Sequence, residues 1–190
     1  MNIWNLKAPF YNLFRKPWPL SRILGRETEN SKELLRLVPQ REGTGLDIGC
    51  GAGNSLNIPG GKVELIGLDG SFVMAKQAAQ NTNCPLVVAD ALSLPFSANC
   101  FYLITAIGLL EYLVDIEAFF ANCAVVLKPG GHLLVTSSPP GLFTTLRRAG
   151  GNKIHPRKTD AVIETAGRFH FSLVQKKSCF SQDVFLLELG

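Results

Sequence analysis

The clearest indication of the fold is the segment Leu46-Asp47-Ile48-Gly49-Cys50-Gly51-Ala52-Gly53-Asn54. Its first residues indicate the end of a buried strand that carries one carboxylate, and three glycines follow at alternate positions. Because glycine has no Cβ, it adopts positive φ and lets a ligand approach the backbone closely. A glycine-rich turn directly after an apolar strand is therefore predicted to hold a nucleotide-like ligand.

The composition is that of an ordinary globular protein. The chain has 190 residues, of which 46% are hydrophobic and 18% are charged, so we expect one domain with a full core. The formal charge of +4 permits an acidic substrate or a nucleic acid without arguing for either. No apolar run predicts a signal peptide or a membrane span, so we expect a cytoplasmic protein.

The cysteines do not predict a metal site. They are widely spaced, with no Cys-x-x-Cys pair and no Cys/His cluster. We therefore expect reduced thiols that fill small spaces in the core, as is usual in the cytosol.

Residues 1–26 differ in composition from the rest of the chain. Aromatic residues alternate with Lys and Arg, and prolines at positions 9, 17 and 19 limit any helix here to short pieces. Three interpretations stay open: a segment that contacts a membrane surface, a lid over the domain, or an arm packed on the core. Next, Asn30 or Ser31 is predicted to cap a helix that runs to about Val38.

From residue 43 onward, strand-like and helix-like segments alternate. Strands are predicted at 45–48, 62–68, 85–89, 101–107 and 132–136, and helices near 71–81 and 116–127. The helix after the glycine turn should be short, because Pro59-Gly60-Gly61 stops it. Residues 128–131 are predicted to form a helix stop and turn.

The last part of the chain predicts a different connection. Residues 137–158 are rich in Gly, Pro and basic residues and have weak periodicity. Thr159 or Asp160 is predicted to cap a short helix that ends at Gly167. Strand-like runs at 169–176 and 183–189 are joined by a short link, which predicts an antiparallel hairpin. The whole order predicts an α/β fold with a mostly parallel sheet and helices on both faces.

Three carboxylates follow the first three predicted strands, namely Asp47, Asp69 and Asp90. They should lie where ligands bind on such sheets, beyond the carboxyl ends of the strands. Asp69 can accept hydrogen bonds from a ribose diol, and Asp90 can accept one from an adenine amine. Asp47 can order the glycine turn or meet a cationic ligand group. Asn54 stands where a dinucleotide motif prefers a late glycine, so an acidic cradle for a ligand with an amine and a sulfonium fits better.

The chain resembles the class I S-adenosylmethionine-dependent methyltransferases over about residues 43–138. Four segments carry the resemblance: Leu46-Asp47-Ile48-Gly49-Cys50-Gly51-Ala52-Gly53; Ile66-Gly67-Leu68-Asp69-Gly70-Ser71; Ala89-Asp90-Ala91-Leu92-Ser93-Leu94-Pro95-Phe96; and Val126-Leu127-Lys128-Pro129-Gly130-Gly131-His132-Leu133-Leu134-Val135. The last two are most similar to small-molecule methyltransferases of the ubiquinone and menaquinone biosynthesis type.

The resemblance implies a Rossmann-like, seven-stranded sheet in which one C-terminal strand is antiparallel. It implies S-adenosylmethionine as cofactor and S-adenosylhomocysteine as product, with Tyr11 as a candidate lid residue. The other cofactor residues that it implies are Asp47, Gly49, Cys50, Gly51, Gly53, Asp69, Gly70, Asp90, Ala91, Leu92, Ile107 and Gly108.

Candidate residues for the acceptor side come from two segments. Methyl transfer is an in-line displacement, and a general base is needed only if the nucleophile arrives protonated. Glu111 and Tyr112 follow the fourth strand and can orient or deprotonate the acceptor, or can simply begin the next helix. His155 is a further candidate base and Arg157 a candidate clamp for an acidic acceptor, against the alternative of a solvated basic loop.

The expected function is methyl transfer to a small-molecule acceptor. We expect a single domain, with residues 1–42 as an arm or lid, residues 43–190 as the sheet core and residues 137–158 as an insert on the substrate side. A nucleic acid is not favoured, because residues 107–112 do not contain an Asn-Pro-Pro-Tyr type motif. An RNA or protein methyltransferase and a non-catalytic cofactor-binding subunit stay open as alternatives.

Overall fold

The computed structural model describes residues 20–39, 43–58, 63–149 and 153–190, and for residues 20–24 it describes the backbone only. Its strands are β1 (Thr44–Ile48), β2 (Glu64–Asp69), β3 (Leu86–Val88), β4 (Phe101–Ala106), β5 (Leu127–Ser137), β6 (Phe171–Ser178) and β7 (Asp183–Leu189). Its helices are α1 (Leu20–Leu35), α2 (Phe72–Asn81), α3 (Ile116–Val126), α4 (Leu142–Ala149) and α5 (Thr159–Gly167). The predicted lid residue, Tyr11, lies outside the described residues.

The strands form one seven-stranded sheet in the order β3-β2-β1-β4-β5-β7-β6. The first five strands run parallel, and β7 is antiparallel to both of its neighbours, β5 and β6. The predicted Rossmann-like α/β fold with a C-terminal hairpin is therefore confirmed. The strand order reverses between β1 and β4, and this point is where a ligand crevice opens on such a sheet.

Helices cover both faces of the sheet. Phe119 and Phe120 of α3 are fully buried, and the Phe120 ring lies 5.9 Å from that of Phe171 in β6. On the other face, Leu34 of α1 packs against Leu134 of β5 and its apolar neighbours in β7. Burial of these apolar side chains holds the two layers on the sheet, at about 25 cal/mol for each Å² removed from water.

The predicted start of the first helix is wrong. Helix α1 begins at Leu20, directly after Pro19, and not at a cap near residue 30. Ser31 lies inside the helix, where its hydroxyl donates to the carbonyl of Glu27 at 2.8 Å. The carboxylate of the buried Glu27 accepts a hydrogen bond from Ser181, which ties α1 to the residues before β7.

Two predicted connections differ from the structure. The helix of α3 does stop at Val126, but β5 already begins at Leu127, and residues 128–131 form a bulge before pairing resumes at His132. Residues 137–158 are not all irregular, because α4 lies within them. The helix after the glycine turn is short as predicted, a single 3₁₀ turn at Ser55–Asn57.

The buried face of α2 is formed by Met74, Ala75 and Ala78, whereas Phe72 is 67% exposed. The predicted cap of α5 is wrong. At α5, Thr159 does not cap its own helix. Its hydroxyl donates to Asp183 at 2.5 Å instead and joins the start of α5 to β7.

Candidate functional site

The glycine turn wraps over the carboxyl end of β2. The backbone N–H groups of Gly49 and Cys50 both donate to the carbonyl of Leu68, at 2.7 and 3.0 Å. Gly49, Gly51 and Gly53 have φ values of 75°, 55° and 89°, a region that other residues enter only with strain. The alternate glycines are therefore required by the backbone path itself.

Gly53 serves the packing of the turn on α2. A Cβ at this position would lie 2.9 Å from Cγ2 of Thr82 and 3.4 Å from Ala78. A side chain here would push the helix away from the turn. Gly53 does not line the cleft that the turn borders.

Asp69 joins the glycine turn to the start of α2. Its Oδ2 accepts from the N–H of Gly51 at 2.9 Å, and its Oδ1 accepts from the N–H of Ser71 at 2.8 Å. Burial raises the pKa of Asp69, and the two backbone hydrogen bonds oppose that shift. Each carboxylate oxygen has a second lone pair, so the group can still accept hydrogen bonds from a diol.

A cleft of about 440 Å³ opens at the carboxyl ends of the strands. The predicted residues that line it are Gly49, Gly51, Asp69, Gly70, Asp90, Ala91, Ile107, Gly108 and Tyr112. Gly108 has a φ of 70°, and a Cβ there would meet no atom within 4 Å. The position thus faces open space, and glycine keeps this wall of the cleft clear.

Asp90 lies on the exposed rim of the cleft. Its Oδ1 accepts from the N–H of Leu92 at 2.9 Å, which fixes the turn after β3. Leu92 does not line the cleft: its side chain packs against the core, and its carbonyl accepts from Asn122 of α3 at 3.0 Å. The contact of the Leu92 backbone with the cofactor stays a prediction.

Asp47 lies beneath the glycine turn and is fully buried. Its Oδ1 accepts from Thr105 of β4 at 2.6 Å, and its Oδ2 accepts from Ser55 at 2.5 Å. These contacts connect β1, β4 and the 3₁₀ turn, so they support the ordering role among the two roles predicted for Asp47. Direct contact with the cofactor stays a prediction, since Asp47 is not among the cleft-lining residues.

Cys50 is buried under the turn, between Leu56 and Leu65. Burial raises the pKa of its thiol, with smaller contributions from the nearby carboxylates. The thiol is therefore neutral, and it does not line the cleft.

Glu111 and Tyr112 lie in the 3₁₀ turn that follows β4, and α4 connects them through one arginine. The guanidinium of Arg147 donates to Oε1 of Glu111 at 3.2 Å and to the hydroxyl of Tyr112 at 2.9 Å. Glu111 is 1% exposed, whereas Tyr112 lines the cleft. These two of the three candidate catalytic residues thus belong to one hydrogen-bonded cluster, although only Tyr112 borders the cleft.

His155 and Arg157 hold the same turn from outside. The N–H of His155 donates to the carbonyl of Glu111 at 2.7 Å, while its side chain is exposed. The guanidinium of Arg157 donates to the carbonyls of Leu110 and Leu113 at 2.8 and 2.5 Å. Because backbone carbonyls occupy these donors, the contacts of Arg157 support a positioning role. The role of Arg157 as a clamp for the acceptor stays a prediction, and these backbone contacts do not support it.

Comparison with known proteins places this geometry in a family. A family model described as a methyltransferase domain matches residues 46–135. A probable tRNA methyltransferase 9B from Homo sapiens is 30% identical over 140 residues, covering 70% of this chain and 28% of the human protein. The demethylmenaquinone methyltransferase of Corynebacterium kroppenstedtii is 35% identical over 101 residues, covering 53% of this chain and 44% of that enzyme. The chain belongs to the class I S-adenosylmethionine-dependent methyltransferases.

Solved structures share the fold of this chain. The magnesium protoporphyrin IX methyltransferase of Synechocystis PCC 6803, solved with bound S-adenosylhomocysteine, superposes with a TM-score of 0.78 at 14% identity, covering 99% of this chain and 98% of that one. The chain spans between about a quarter and a half of the length of the curated relatives named above.

The residues of the cleft fit the family's cofactor, S-adenosylmethionine. The cofactor supplies an activated methyl group on a sulfonium, so the protein has to bind and orient it. Asp69 can accept from its ribose, Gly108 leaves space beside the backbone, and the carboxylates give the cleft an acidic character that suits a cation. Within the described residues, no group of three or more His, Cys, Asp or Glu side chains could hold a metal ion. No helix among those residues has the length and apolar character needed to cross a membrane.

Several apolar residues of the cleft and the polar residues behind it were not predicted from the sequence. The missed cleft residues are Leu68, Met74, Val88, Ala89, Leu109 and Leu113. Leu109 directly follows the predicted site residue Gly108, so the same turn signal could have found it. Arg147 and Gln182 lie in α4 and before β7, and no local pattern assigns them to the cluster around Glu111.

Asp47 makes the stability of the protein depend on pH in an unusual direction. Burial raises the pKa of Asp47 from 3.8 to about 6, so the folded state keeps a proton that the unfolded chain has lost. The stability that this proton gives is present below pH 3.8 and is lost as the pH rises through about 6. A shift of this size corresponds to about 3 kcal/mol.

Asp47→Asn is expected to remove this dependence. Between pH 4 and pH 7, the wild type should lose stability and the variant should not. The free energy of unfolding of the variant minus that of the wild type should therefore increase by up to about 3 kcal/mol. Urea unfolding of both proteins without cofactor, at a series of pH values, measures this difference. A difference that stays constant across the series would contradict the assignment.

Proposed function

We propose that this chain transfers a methyl group from S-adenosylmethionine to a small-molecule acceptor. The observation that carries the proposal is that the residues lining the cleft and the buried polar residues around Glu111 are joined by hydrogen bonds. Tyr112 borders the cleft with Asp69 and Gly108, and its hydroxyl accepts from Arg147, which pairs with the buried Glu111. A cofactor cleft and a buried polar cluster therefore share one side chain.

The size and position of the cleft support a small ligand. Its volume of about 440 Å³ falls in the range of sites that bind drug-sized molecules. In this proposal, Asp69 accepts from the ribose, Asp90 accepts from the adenine amine, and the glycine turn approaches the amino acid part. Tyr112 and Leu113 then line the place where the cofactor meets the acceptor, and they exclude water from the reacting atoms.

Cofactor binding tests the first half of the proposal. We expect S-adenosylmethionine and S-adenosylhomocysteine to bind in isothermal titration calorimetry and to raise the melting temperature, and NAD to do neither. A ligand at a hundred times its dissociation constant stabilises the folded state by about 2.7 kcal/mol. A melting temperature raised by NAD and not by S-adenosylmethionine would contradict the proposal. Formation of S-adenosylhomocysteine with an acceptor tests the second half, and its absence with every acceptor would favour a non-catalytic subunit.

An RNA acceptor is the second candidate, because one relative is a probable tRNA methyltransferase. Its support is the 30% identity to that protein, although the alignment covers only 28% of it. RNA binding would require a salt-dependent association, since counterions are released from the phosphates. Titration with total tRNA at 50 and 200 mM salt distinguishes the two acceptors: affinity that falls steeply with salt supports RNA, and no binding supports a small molecule.

A further inference from the structure

Only one of the two carboxylate oxygens of Glu111 accepts hydrogen bonds from the described residues. Its Oε1 accepts from Gln182 at 3.0 Å, from Ser138 at 3.3 Å and from both terminal nitrogens of Arg147 at 3.2 Å. No donor among the described residues reaches its Oε2, although the side chain is 1% exposed. A buried carboxylate oxygen without a donor is costly, so this atom calls for a hydrogen bond from a group that the described chain does not supply.

A second acceptor atom lies in the same cluster. Gln182 is 5% exposed, and its Oε1 also has no donor among the described residues. The orientation of its amide is determined, because the Nε2 group donates to Oε1 of Glu111. A flipped amide would set two oxygens against each other. The free atom of Gln182 is therefore an acceptor.

The chemistry of these two atoms defines the group they can bind. Both accept hydrogen bonds, so a partner has to bring N–H or O–H donors, and an ether or an unsubstituted ring carbon cannot satisfy them. Arg147 already balances the charge of Glu111, so the partner can be a neutral hydroxyl as well as an ammonium group. Tyr112 connects the cluster to the cleft, through the hydrogen bond that its hydroxyl accepts from Arg147 at 2.9 Å.

We propose that Oε2 of Glu111 and Oε1 of Gln182 bind the amine or hydroxyl group of the methyl acceptor. This inference rests on the proposed function, and it narrows the acceptors to molecules that carry an N–H or O–H donor. Arg147 acts as a positioning residue, because it holds Oε1 of Glu111 and thereby aims Oε2 away from the salt bridge. Gln182, close to the C-terminal end of the sequence, contributes selectivity for a donor group through its Oε1 atom.

Two pairs of small probes test this inference without knowledge of the natural acceptor. Benzylammonium is compared with benzyltrimethylammonium, which keeps the charge and has no N–H. Benzyl alcohol is compared with benzyl methyl ether, which has no O–H. Dissociation constants are measured by NMR titration of the protein saturated with S-adenosylhomocysteine. In at least one pair, we expect the donor-bearing member to bind at least tenfold more tightly, and the pair that responds identifies the amine or the hydroxyl.

Two substitutions locate the preference. Gln182→Met and Glu111→Gln each remove one acceptor atom, and each should reduce the preference at least threefold. Tyr102→Phe is the matched control, since it removes a different buried polar atom without a described partner, the hydroxyl of Tyr102 near the amino end of β4, and it should leave the preference unchanged. Equal binding of the two members of both pairs, undetectable binding included, overturns the inference. An unchanged preference in both cluster variants also overturns it.

The binding of S-adenosylhomocysteine is measured first for each protein. Normal affinity together with no donor preference contradicts this inference alone. Failure of the wild type to bind S-adenosylhomocysteine contradicts the proposed function instead. If Glu111→Gln does not fold, Gln182→Met still decides the outcome, because it leaves the salt bridge to Arg147 intact.

Discussion

Replacing Asp69 with alanine should weaken the binding of S-adenosylmethionine at least a hundredfold while the sheet stays folded. Hydrogen bonds to a charged group contribute about 1.5–3 kcal/mol each, and the ribose offers two hydroxyls. The substitution also releases the N–H groups of Gly51 and Ser71, which Asp69 now holds at 2.9 and 2.8 Å. The glycine turn then loses its tie to α2 as well as its ligand.

Isothermal titration calorimetry measures this affinity, and circular dichroism checks the fold. Glu64→Ala is the matched control, because Glu64 is an exposed carboxylate at the other end of β2. Asp69→Asn should give an intermediate loss, since the amide keeps one acceptor oxygen and loses the charge. An affinity of Asp69→Ala equal to that of the wild type would remove Asp69 from the ribose site.

Arg147→Met should lower the free energy of unfolding by about 3 kcal/mol, because it leaves the buried carboxylate of Glu111 without its ion-pair partner. The Glu111 side chain is 1% exposed, and its Oε1 lies 3.2 Å from Nη1 of Arg147. Removing one partner of a buried ion pair costs more than removing both, since the remaining charge stays desolvated. Urea unfolding monitored by circular dichroism measures the loss.

The double variant Arg147→Met, Glu111→Gln tests the physical cause. With the charge of Glu111 removed, most of the lost stability should return. Arg148→Met is the matched control, as Arg148 is the next residue of α4 and is exposed, so its replacement should change stability by less than about 0.5 kcal/mol. A loss of equal size in Arg148→Met would assign the effect to the helix and not to the pair.

The sequence predicted the parts of the site that lie within a few residues of one another. The glycine turn after β1 has a local signature, because three alternate positions require positive φ. Asp69 and Asp90 follow buried strands directly, and parallel strands bring such positions to one edge of the sheet. The helix start at Leu20 was missed because the hydroxyl of Ser31 is equally suited to a cap and to a bond with the preceding turn.

The α/β fold and the edge of the sheet at which the cleft opens could thus be predicted from the sequence. The surroundings of Glu111 follow from the packing of the folded chain, because its partners Arg147 and Gln182 lie 36 and 71 positions further along the chain. The same packing brings Thr105 and Ser55 to donate to Asp47 beneath the turn. Periodicity and turn chemistry act over one or two turns of chain, whereas a buried charge takes its partners from whichever elements the packing of the sheet brings beside it.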